Sequence, residues 1–140
     1  MTKEKGLDRL YVEGREINKF RNLTIQSVSG SAETQPFKDL KDAFLWAVSL
    51  GVKLGRRIPL EGSKEGLVLW TYLSDDDKNA LYLLAIAESG ELQVIENIGA
   101  VQEIAEEYAN AGIRILKQEI MDGPGDALWK LVSIARSNKD

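Results

Sequence analysis

The chain contains no cysteine and no histidine. The first absence excludes a disulfide framework, thiolate zinc and iron–sulfur sites, and a thiol nucleophile. The second removes the commonest metal ligand and the one side chain that titrates unperturbed near neutrality. Serine–histidine–aspartate hydrolysis, a two-histidine–carboxylate iron site and histidine-ligated haem are therefore excluded. Long apolar runs are also missing: the longest, Ala80 to Ala87, spans eight residues, against about 20 for a membrane span. The first ten residues, MTKEKGLDRL, carry no apolar stretch of the signal-peptide kind, so a cytoplasmic chain with no membrane association is expected. No glycine-rich phosphate loop or dinucleotide fingerprint occurs, because Gly51 and Gly55 lack a following Lys-Ser/Thr and Gly123-Pro124-Gly125 reads as a chain breaker.

What remains is the composition of an ordinary globular domain, with 140 residues, 44% hydrophobic and 29% charged. No linker or repeat divides it, so residues 1–140 form a single domain, with a less regular segment over 1–35 and a helical core over 36–140. The net charge of −4 conceals an asymmetry. Residues 1–57 hold 11 Lys/Arg against 7 Asp/Glu, and residues 58–140 hold 7 against 15. An acidic chain is not an avid nucleic-acid binder by default, but its basic first segment keeps DNA among the expected partners.

The apolar spacing of Leu7, Leu10 and Tyr11 predicts a short helix near the start. The β-rich stretch Leu23–Val28 predicts a strand, closed by a turn at Gly30-Ser31. Pro36 opens a helix whose apolar stripe runs through Phe37, Leu40, Phe44, Ala47 and Gly51 to a stop at Gly55 and Pro59. Gly66 to Leu73 reads as a second strand, with Leu23–Val28 as its partner. Ser74 with Asp75, Asp76 and Asp77 caps a helix ending at Gly90. Ala80–Ala87 is apolar all round, so this helix is expected to be central and buried. The longest helix runs from Ile98 to Met121 with Gly112 in its middle, a residue that favours close approach of a neighbour. A last helix covers Asp126 to Ser137. The fold class is mainly α, four to five helices around a buried central helix with a small two-stranded element, and α+β as the neighbouring class.

Candidate chemistry is sparse. Lys53, Arg56 and Arg57 form the best phosphate- or DNA-binding cluster, since guanidinium groups suit phosphate. Lys38, Lys41 and the N-terminal Lys3, Lys5, Arg9, Arg15, Lys19 and Arg21 would enlarge it if the fold gathers them. Asp75, Asp76 and Asp77 diverge by about 100° each on a helix and read as caps, not as a magnesium site. Glu103, Glu106 and Glu107 share a helix side and read as a solvated face rather than an acid/base pair. Tyr108 falls in the apolar stripe and needs a partner for its hydroxyl. Trp46, Trp70 and Trp129 read as packed rather than base-stacking, with leftover apolar surface near Trp70 or Trp129 as an interaction face.

Several segments recur together in one known family. They are Phe37…Asp42-Ala43-Phe44, Leu50-Gly51-Val52-Lys53…Arg56-Arg57-Ile58-Pro59-Leu60, Ala85-Ile86-Ala87-Glu88-Ser89-Gly90-Glu91-Leu92, and Glu106-Glu107-Tyr108-Ala109-Asn110-Ala111-Gly112. In this order and spacing they resemble the small bacterial Dnd-system-associated protein four family, encoded near DNA phosphorothioation modification and restriction genes. The resemblance covers about residues 37–136 and implies a setting in DNA modification and phage defence, with no catalytic residues to carry over. Glu106, Glu107, Tyr108, Asn110 and Gly112 stand as a family motif of unassigned role. The expected function is a non-enzymatic accessory protein of such a system, without cofactor or metal, that binds DNA, a partner protein of the system, or both. The alternative is a protein–protein adaptor or homodimer that makes no nucleic-acid contact.

Overall fold

The computed structural model describes residues 7–22 and 39–120, with side chains through Ile115. Its elements in chain order are β1 (Arg9–Glu13), α1 (Ile17–Asn22), α2 (Leu40–Leu54), β2 (Lys64–Leu69), α3 (Asp75–Ser89) and α4 (Ile98–Ile120), with short 3₁₀ turns at Gly14–Glu16, Trp70–Tyr72 and Leu92–Glu96. The architecture is mainly α with one two-stranded antiparallel sheet. None of the described helices is long and apolar enough to cross a membrane.

The first segment is a strand rather than the helix that the spacing of Leu7, Leu10 and Tyr11 suggests. Leu10 and Val12 are both buried, and Tyr11 between them is only partly so. That period of two puts Leu10 and Val12 on the core face. β1 is also the partner of β2, with Leu10 opposite Val68 and Glu13 opposite Lys64. The pairing expected for Leu23–Val28 is therefore taken by β1, and residues 23–28 lie outside the described residues. The second strand stops at Leu69, and Trp70-Thr71-Tyr72 coils into a 3₁₀ turn instead of continuing it.

Helix ends follow local chemistry. The Asp39 carboxylate accepts from the Asp42 N–H at 3.0 Å and starts α2, while Pro36 to Lys38 lie outside the described residues. Gly55 closes α2 in the left-handed region at φ 66°, and Gly90 closes α3 at φ 74°, a conformation that strains most other residues. Ser74 and Asp77 exchange reciprocal hydrogen bonds, each 3.0 Å, in a full capping box at the start of α3.

The central helix is α4, not α3. On α3 only Leu81 and Ala85 are buried, and Leu83 is 66% exposed. A continuous apolar run does not by itself place a helix inside, because α3 meets the core along a single stripe. On α4, by contrast, every residue from Ile104 to Ile113 is buried. Small residues make this possible. An added Cβ on Gly112 would strike the Ala47 carbonyl of α2, and one on Gly51 would strike the Tyr108 carbonyl of α4. The two helices thus run antiparallel at backbone contact, as the mid-helix Gly112 predicts. Phe20 of α1 and Phe44 of α2 stack with ring centroids 6.2 Å apart and close the core on that side. The helix expected over Asp126–Ser137 lies outside the described residues.

Candidate functional site

The family-like motif lies at the centre of α4, and its polar side chains bond in turn to different elements. Glu106 is buried and its Oε2 accepts from the Tyr11 N–H of β1 at 2.7 Å. Glu107 Oε1 accepts from Arg57 Nε at 2.7 Å, and the Glu107 backbone carbonyl accepts from the Ile58 N–H at 3.1 Å. The Tyr108 hydroxyl donates to Glu88 Oε2 of α3 at 2.6 Å. Asn110 Nδ2 donates to the carbonyls of Ile58 and Pro59 and to Glu13 Oε2. Gly112 provides the contact with α2 described above. The expectation of a solvated carboxylate face therefore holds for Glu103, which is exposed, and fails for Glu106 and Glu107. Their partners lie on segments far away in sequence, which local spacing cannot show.

Two hubs organise this network. The first is Glu13 at the end of β1, whose side chain has no exposed surface. Its Oε1 accepts from Arg15 Nε at 2.8 Å and Arg114 Nη2 at 3.2 Å, and its Oε2 from the Glu61 N–H at 2.8 Å and Asn110 at 3.1 Å. Burial pushes this carboxyl up, but the bonds from Arg15, Glu61 and Asn110 outweigh it and hold the group down at about 2. The second hub is Arg57, which bridges Glu107 and, at 3.0 Å, Glu88 Oε1. The Tyr108 hydroxyl, helped by Arg57, holds the Glu88 carboxyl below its ordinary range, and the same bond together with burial pushes the Tyr108 phenol up. Tyr108 thus has the hydroxyl partner that its place in the apolar stripe requires. Glu13 and Arg114 carry no sequence signal that marks them as members of this network, and Glu88 is marked only as part of the family-like segment Ala85 to Leu92.

The basic cluster divides. Lys53 and Arg56 are exposed at the C-terminal end of α2. Arg57 folds back between α3 and α4. Lys41 sits at the opposite end of α2, about 18 Å away by helix rise, and pairs with Asp77 at 3.3 Å. Arg9 pairs with Asp8, Arg15 with Glu13, and Lys19 with Glu16. Lys38, Lys3 and Lys5 lie outside the described residues. Of the expected cluster, Arg57, Lys41, Arg9, Arg15 and Lys19 are thus engaged in ion pairs within the fold.

Several depressions mark the surface of the described residues. A cleft of about 500 Å³ is lined by Leu7, Pro59, Lys64, Glu103, Glu106 and Glu107 among others. It brings the three carboxylates together without Tyr108, and Glu106 and Glu107 are already hydrogen-bonded as described. Among the described residues no group of three acidic side chains is placed to hold a metal ion, and Asp77 acts in the α3 cap. Another depression, about 530 Å³, lies between α2 and α3 and is lined mainly by Leu45, Val48, Val52, Ala80, Leu81 and Leu84. Lys41 near the start of α2 pairs with Asp77 near the start of α3, and Arg57, on the loop after α2, pairs with Glu88 near the end of α3 at 3.0 Å. Trp70 itself is partly buried against Tyr82 at a centroid distance of 6.3 Å with Lys78 over its ring, while Tyr72 beside it is 68% exposed, so apolar surface lies near Trp70 as well. Trp129 lies outside the described residues, and Trp46 of α2 is 40% exposed.

No curated protein and no solved structure matches the chain. The family profile described as DNA sulphur modification system-associated protein 4 matches residues 18–140, a span that takes in α1 from its second residue, α2, β2, α3, α4 and the whole motif from Glu106 to Gly112. The chain belongs to the DNA sulphur modification system-associated protein 4 family.

Proposed function

We propose that this chain is a non-enzymatic accessory component of a DNA sulphur modification system, which acts by binding a partner protein of that system, its DNA, or both. The observation that supports this reading is the engagement of the motif. Glu106, Glu107, Tyr108 and Asn110 are the polar groups most characteristic of the family resemblance, and each holds one element of the fold to another. A general acid or base must reach a substrate proton within hydrogen-bond distance. Here the Glu106 and Glu107 carboxylates already accept from a backbone N–H and a guanidinium, and the Tyr108 hydroxyl already donates to Glu88. Such a motif builds a rigid platform, and the work of the platform falls to its surface.

The protein half of the reading is tested by capture, on the immobilised chain, of purified proteins of a DNA sulphur modification system. Saturable binding to at least one of them is expected. The DNA half is favoured by the exposure of Lys53 and Arg56. It is tested by fluorescence titration of phosphorothioated and unmodified duplexes at two salt concentrations. Phosphate contacts strengthen as salt falls, so absence of binding at low salt removes the DNA half. Absence of both activities overturns the whole reading.

A further inference from the structure

We draw no further inference here: the strongest candidate, the cleft beside the first turns of α4 lined by Glu103, Glu106 and Glu107, is an acidic cluster whose inner two carboxylates already bond to the Tyr11 N–H and Arg57, and no second feature of the described residues points to a ligand there.

Discussion

Asn110 Nδ2 lies 3.1 Å from Glu13 Oε2, so the middle of α4 is hydrogen-bonded to the end of β1 across 97 residues of chain. The same amide reaches the carbonyls of Ile58 and Pro59, and the same carboxylate takes the Glu61 N–H. Strand, loop and central helix therefore meet at one buried acid. Replacing Glu13 by Ala leaves the Asn110 amide, the Glu61 N–H and the Arg114 guanidinium without their acceptor. Breaking a buried charge interaction from one side costs about 3–5 kcal/mol, and urea denaturation of Glu13→Ala should show a loss in that range. Arg15→Ala should cost far less, because the Arg15 side chain is 62% exposed and the other three donors remain.

Glu13 also sets a pH dependence. Its folded-state carboxyl titrates at about 2, below the unfolded range near 4.3. A group whose pKa is depressed on folding contributes stability that is present above the unfolded value. That contribution is lost as pH falls from about 4.3 through about 2. The native chain should therefore lose stability steeply in this acid window. Glu13→Gln, which cannot ionise, should be less stable at neutral pH and show a flatter acid limb. Thermal melts from pH 7 down to 2.5 check both features, and parallel acid limbs for the two proteins would remove Glu13 as the cause.

How much of this was legible in the sequence depends on the range of the interaction. Ser74, Gly55, Gly90 and Asp39 act on backbone groups within four residues, and the caps at Ser74 and Gly55 follow directly from residue type. Gly112 and the hydroxyl of Tyr108 were legible as needs, a close neighbour and a partner, without the identity of either. Glu106 was not, because its acceptor role is completed by Tyr11, 95 residues away. Nor was the burial of Glu107, whose guanidinium partner arrives on the loop after α2. Periodicity cannot distinguish a solvated carboxylate from one that a distant cation has drawn inward. The apolar run of α3 misled for the opposite reason: hydrophobicity on all sides permits burial, but the glycines and alanines of α4 and α2 decide which helices approach most closely.

Those glycines make a sharp prediction. Alanine is the better helix former by up to about 1 kcal/mol, so Gly112→Ala in an isolated helix would be stabilising. Here the new methyl meets the Ala47 carbonyl, and at Gly51 it meets the Tyr108 carbonyl. Neither obstacle is a flexible side-chain end that can swing aside. The helices must separate, and overpacking of this kind costs about 1–3 kcal/mol. Gly112→Ala and Gly51→Ala should each lower the melting temperature. Their double variant should lose less than the sum, because one separation of α2 from α4 relieves both clashes.

Tyr108 joins stability to a spectroscopic readout. Its hydroxyl donates to Glu88 at 2.6 Å, and Arg57 holds the other oxygen of that carboxylate. The bond to Glu88 and burial both disfavour the phenolate, so Tyr108 should ionise above the ordinary tyrosine range. Ultraviolet titration of the folded protein should resolve a late component among the four tyrosines, and Tyr108→Phe should delete it. The same variant should cost about 1.5–3 kcal/mol, as for a hydrogen bond to a charged group. Glu88→Gln should bring the late component down while retaining the ring packing. A titration unchanged by Glu88→Gln would place the cause in burial alone and leave the bond to α3 without an energetic role.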